Sequence, residues 1–165
     1  MPPPWYASAH ACATWWAAPR TYARATAELE DLMGADWDVT LDVEASPAEA
    51  WAVVGDPCGV TRWYALYTGC RTEGNTRTLE RADGAVVVED LLTRDDEGMS
   101  YSYTVTAGLP LAEHEASFRV EPRGNGSRII WHTHAVNDDP SVDMEARLAD
   151  RQREALEGLR ALLDD

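Results

Sequence analysis

The chain has 165 residues, 45% of them hydrophobic, which fits one folded domain with a substantial core and excludes a disordered chain. It carries 29 Asp and Glu against 14 basic residues, for a formal net charge of −15. Phosphates would be repelled by such a surface, so neither nucleic acid nor an anionic membrane is an expected partner.

Residues 1–35 differ from the rest. They open with Pro2-Pro3-Pro4, carry Trp5, Trp15 and Trp16, and contain a predicted helix over Thr21–Met33 that Gly34 would stop. No basic-then-apolar leader opens them, so secretion is not expected. The plain reading is a partly ordered tail. The sharper one is an arm or lid whose tryptophans cover an apolar opening, dock on a partner protein, or meet a second copy of the chain, which allows a homodimer.

The domain over residues 36–165 begins with Trp37, Val39, Leu41 and Val43 on one face of a strand. Ser46-Pro47-Ala48-Glu49 then forms a capping box for a short helix bearing Trp51, and Gly55-Asp56-Pro57 ends it. A second short helix spans about Gly59–Tyr64. Strands follow at Leu66–Glu73, Thr76–Arg81, Ala85–Thr93, Met99–Ala107, Ala112–Glu121 and Ser127–Asn137. The turn residues between them imply an antiparallel meander. The segment from Ala107 to Leu111, with Gly108, Leu109 and Pro110, reads as a loop at a cavity mouth. From Ser141 to Leu163 the pattern turns helical, with Leu148, Gln152, Ala155, Leu159 and Leu162 on one stripe. No stretch is long and apolar enough to span a bilayer.

Cys12, Cys58 and Cys70 make an odd count without a CxxC pair. That points away from a disulfide framework and toward a reducing cytoplasm, with Cys58 and Cys70 as small buried hydrophobes. All 14 basic residues are arginine, so lysine Schiff-base chemistry is excluded. The same lysine-free, alanine-rich usage is associated with GC-rich bacterial genomes.

From Trp37 onward the chain resembles the START-like (SRPBCC) superfamily, in its polyketide cyclase/dehydrase branch. The motifs are Ser46-Pro47-Ala48-Glu49-Ala50-Trp51, Gly55-Asp56 leading to Trp63, Arg77-Thr78-Leu79 before Asp83-Gly84, Val88-Glu89-Asp90-Leu91, Tyr101-Ser102-Tyr103 and Arg128-Ile129-Ile130-Trp131. They cover about four-fifths of the chain, and residues 1–35 have no counterpart in the pattern. The resemblance implies an α+β helix-grip fold: a seven-stranded antiparallel sheet curled around the long C-terminal helix, two short helices after the first strand, and a hydrophobic cavity. It does not imply one reaction, since relatives include cyclases, receptors and lipid carriers.

Strand alternation groups Glu89 with Val87 and Leu91, His114 with Ala116 and Phe118, Trp131 with Ile129, Thr133 and Ala135, Tyr101 with Tyr103, and Arg77 with Leu79 and Arg81. The resemblance places Glu89, His114 and Thr133 inward. Glu89 and His114 are expected to handle protons and Arg77 or Arg81 to hold an enolate oxygen. Tyr64, Tyr101 and Tyr103 would orient carbonyls and stack on a planar substrate, with Leu79, Leu109, Phe118, Trp131, Thr133, Leu148 and Gln152 completing the binding wall. The plain counterparts are a structural Glu89–Arg77 or Glu89–Arg81 bridge, a satisfied His114, and tyrosines that only pack.

His132 and His134 share the opposite, convex face, and two histidines do not make a metal site. No metal and no cofactor are expected. The expectation is a hydrophobic small molecule cyclised or dehydrated in bacterial specialised metabolism; the alternative is a non-catalytic carrier.

Overall fold

A computed structural model describes residues 34–139 and 141–164. The expected arm, its tryptophans and the Thr21–Met33 helix lie outside the described residues.

β1 spans Ala35–Val43. Its alternating side chains turn Val39, Leu41 and Val43 into the core and leave Asp38, Thr40 and Asp42 outside. α1 (Pro47–Val54) starts as the capping box predicts: Glu49 N donates to Ser46 Oγ at 3.4 Å, and Ser46 N donates to Glu49 Oε2 at 2.9 Å. α2 is one turn, Val60–Trp63. Six strands follow: β2 (Tyr67–Glu73), β3 (Thr76–Arg81), β4 (Val86–Asp95), β5 (Ser100–Ala107), β6 (Leu111–Arg123) and β7 (Gly126–Asn137). The long helix α3 runs Met144–Asp164.

All seven strands form one antiparallel sheet in the order β1-β7-β6-β5-β4-β3-β2. Short turns join β2 through β7 in sequence. The two short helices carry the chain from β1 at one edge to β2 at the other. α3 packs across β1, β7 and α2. This is the helix-grip architecture.

Register explains which side chains meet on the concave face. Val39 lies opposite Trp131, Trp131 opposite Phe118, and Phe118 opposite Tyr101. The next inward row runs Trp37, Thr133, Ala116, Tyr103, and Arg77 faces Glu89 directly across β3 and β4. Register shifts in β2, β4 and β6 bend the sheet around this face.

Two expectations need correction. α3 begins at Met144, not Ser141: Asp143 Oδ1 accepts from Ala146 N at 2.9 Å, so the cap falls at Asp143. Cys58 and Cys70 are joined in a disulfide. The bond ties the α1–α2 turn to β2, on the side where Cys70 sits opposite Leu79. The two stand 12 positions apart in sequence, and folding removes that distance, which no spacing rule foresees. The cysteine count therefore gives no support to a reducing compartment. Among the described residues no helix is long and apolar enough to cross a membrane.

One close approach fixes how α3 sits. A Cβ on Gly158 would stand 2.0 Å from the Trp63 carbonyl oxygen, so only glycine lets α3 lie this near α2.

Candidate ligand pocket

The space between sheet and helices is hollow, with a cavity of about 470 Å³. A floor of closely packed, tilted aromatics comes from β5, β6 and β7. Phe118 and Trp131 rings lie 4.5 Å apart, Tyr101 and Phe118 5.5 Å, and Trp63 from α2 meets Trp131 edge-on at 6.3 Å. Trp131 Nε1 donates to the Tyr103 hydroxyl at 3.1 Å, which fixes both rings. At the other end, Tyr64 and Tyr67 meet edge-on at 5.2 Å.

Into this apolar wall the register sets one ion pair. Arg77 Nε donates to Glu89 Oε2, with both side chains almost wholly buried. Arg77 Nη1 also donates to the Pro57 carbonyl at 2.7 Å, and the guanidinium lies 4.8 Å from the Tyr103 ring centre. Burial raises the Glu89 pKa above the ordinary carboxylate value, against the pull of Arg77. For Arg77, burial opposes the charge, but the oxygens of Tyr101, Glu89 and Tyr103 outweigh it, so the guanidinium stays protonated. Burial also raises Tyr64, to about 12, and Tyr101 and Tyr103, so the phenols are neutral donors and acceptors at ordinary pH.

His114 lines the cavity from β6. Its Nδ1 accepts from the Val105 backbone N–H at 3.1 Å. That bond places the proton of the neutral ring on Nε2. Burial, helped by His134, lowers its pKa to about 4. Charging the ring, as the expected proton shuttle needs, would cost desolvation and the bond from Val105. His114 is a neutral Nε2–H donor.

Of the expected site residues, the cavity brings together Glu89, His114, Arg77, Arg81, Tyr64, Leu79, Tyr101, Tyr103, Leu109, Phe118, Trp131, Leu148 and Gln152. Thr133 is the exception. It is fully buried behind the wall, where its Oγ1 accepts from Gln152 Nε2 at 2.6 Å. Gln152 Oε1 accepts from Trp37 Nε1 at 2.7 Å, so the amide bolts α3 to β1 and β7. From the loop expected at the mouth, Gly108, Leu109 and Pro110 line the cavity. Gly108 has φ of 95°, and a Cβ there would stand 2.1 Å from the Val86 carbonyl oxygen, so glycine alone fits this corner.

The sequence reading missed Trp63, Tyr67, Arg147 and Arg151, which also line the cavity. The last two stand on the flank of the α3 stripe, where a count of apolar residues alone does not look. On the outer face, His132 Nδ1 pairs with Asp38 at 2.9 Å and His134 Nδ1 with Asp36 at 3.1 Å. Among the described residues, no three His, Cys, Asp or Glu converge as a metal would need.

A family model described as polyketide cyclase / dehydrase and lipid transport matches residues 35–164. No curated protein matches the chain. The protein XoxI of Bacillus cereus is similar in structure, with a TM-score of 0.73 at 21% identity, over 79% of this chain and 96% of that one. A protein from Thermobifida fusca gives 0.63 at 21%, over 76% and 90%. The major latex-like protein 151 of Panax ginseng gives 0.66 at 16%, over 79% and 98%. At such identities the likeness is one of fold.

Proposed function

Since the chain belongs to the polyketide cyclase / dehydrase and lipid transport family, we propose that it binds a hydrophobic, carbonyl-bearing small molecule and promotes its cyclisation and dehydration in bacterial specialised metabolism. The observation that carries this reading is the Arg77–Glu89 pair set into the wall of an aromatic cavity. A buried ion pair is often no more stabilising than apolar residues of the same volume. Its place at the ligand wall, rather than in the solid core, is accounted for by chemistry on a guest.

Glu89, whose pKa burial raises, takes a proton from a carbon beside a ligand carbonyl. Arg77, always charged, holds the enolate oxygen. The enolate carbon forms a bond to a second carbonyl carbon, and that oxygen takes the proton back from Glu89. Loss of a further α-proton and the new hydroxyl releases water. The His114 Nε2–H holds a carbonyl oxygen, and the aromatic floor keeps the rings planar.

A second reading, carriage without turnover, is favoured by one observation. Glu89 Oε2 is already engaged by Arg77, and His114 Nδ1 by Val105. One experiment separates the two. Purified protein is incubated with linear poly-carbonyl precursors, beside Glu89→Ala and His114→Ala variants. Cyclised product that falls away in the Glu89 variant supports catalysis. A product distribution unchanged in both variants removes these residues from the mechanism, and a ligand recovered intact assigns the pocket to carriage.

A further inference from the structure

The cavity mouth carries a charge imbalance that the reaction above does not use. Among the described residues, four arginines line this one pocket: Arg77 within it, and Arg81, Arg147 and Arg151. The carboxylates lining it are Glu89 and Asp150. Glu89 is matched by Arg77, and Asp150 is held at 2.7 Å by Arg153, which lies outside the pocket. In a chain of net charge −15, this rim is locally cationic.

The three rim arginines are poorly satisfied. Arg81 gives Nη2 to Asp83 at 2.7 Å, while its Nε is buried with no hydrogen-bond partner among the described residues. Among the described residues Arg151 has only Glu154, at 3.1 Å, in an exposed pair of the kind that contributes little. Arg147 has no side-chain partner among the described residues. Arg147 and Arg151 also stand four apart on α3, where like charges repel by about 0.2–0.5 kcal/mol. Neighbouring pairs on the same helix, Asp150–Arg153 and Glu157–Arg160, are arranged to attract. The repulsive pair falls on the helix face that borders the cavity.

We infer that the guest of this pocket carries an acidic head, such as a carboxylate, held at the mouth by Arg147 and Arg151 with Arg81 opposite, while its apolar body lies on the aromatic floor. The inference rests on the pocket being a hydrophobic-ligand site, as proposed above. A guest of this kind resolves both imbalances at once. It supplies the anion that the rim lacks and the ring or chain that the floor of Phe118, Trp131 and Tyr101 would cover. The rim charge also draws such a guest inward, since a cleft lined by one sign of charge concentrates its counter-ion.

The test uses two fluorescent probes with the same rings: 1-anilinonaphthalene-8-sulfonate and its uncharged counterpart, N-phenyl-1-naphthylamine. Each is titrated into the full chain and into an Arg147→Gln/Arg151→Gln variant. Both substitutions are on the solvent-facing rim, and circular dichroism checks that the fold is kept. The expected result is that the sulfonate binds about tenfold more tightly than the neutral probe. That advantage should vanish in the variant and shrink as salt rises from about 50 to about 500 mM. Equal binding of the two probes, or an advantage that survives the double substitution, overturns the acidic-head inference and leaves the hydrophobic pocket standing. Failure of both probes to bind overturns the pocket reading as well.

Discussion

The two faces of this sheet use the same residue types to different ends. On the convex side, Arg128 holds Asp42 at 2.7 Å, and His132 and His134 pair with Asp38 and Asp36 across β1 and β7. On the concave side, Arg77 holds Glu89 with almost no exposure, and His114 accepts from a backbone amide inside the cavity. Water screens the first set and is largely excluded from the second. A charge one residue further along a strand is therefore either cheap decoration or a large commitment, and only the commitment shapes a site.

The sharpest way to break this comparison is Arg77→Met. It leaves the Glu89 carboxylate buried without its partner and should cost about 3–5 kcal/mol in urea denaturation. The Arg77→Met/Glu89→Leu pair should recover most of that loss, because it removes the stranded charge. A single substitution no worse than the pair would mean that the two groups are not coupled.

The next effect is a pH dependence. His114 is lowered to about 4 in the folded chain, so it binds its proton less readily than when unfolded. Its contribution is present above pH 6.5 and is lost as pH falls toward 4, by up to about 3 kcal/mol. Glu89, raised by burial, works in the opposite sense, losing stability as pH rises above its unfolded value. The difference between wild type and His114→Gln isolates the imidazole: stability curves that run parallel from pH 7 to 4 would show that the ring is not desolvated.

The Cys58–Cys70 bond closes the inner layer covalently. With its ends 12 positions apart in sequence, reduction or Cys58→Ser should cost about 2–3 kcal/mol. A melting curve unmoved by dithiothreitol would remove the bond from the account of how α2 is held. The smallest effect belongs to the outer face. Arg128→Ala leaves Asp42 still paired with Arg123 at 3.1 Å and should cost less than about 1 kcal/mol. A loss as large as that of Arg77→Met would erase the distinction between the faces.

Much of the concave lining was legible from strand alternation, because side chains on a strand repeat every two residues. Glu89, His114, Tyr101 and Trp131 were grouped with their neighbours for that reason, and the family resemblance set Glu89 and His114 facing inward. Thr133 has the correct phase but the wrong depth: Gln152 covers it, and a pattern along one strand carries nothing about what a helix lays over it. Arg147 and Arg151 were passed over because a hydrophobic stripe discards charged neighbours, although those neighbours are what borders a cavity.

Phase along each strand, the Ser46–Glu49 cap and the turns between strands are local properties of backbone and side chain, so residue order alone sets them. Pairing of Arg77 with Glu89, the meeting of Cys58 with Cys70, the locked tautomer of His114 and the cationic rim arise between segments far apart in the chain. Only curling of the sheet around α3 brings them within bonding distance and excludes the water that would otherwise weaken them.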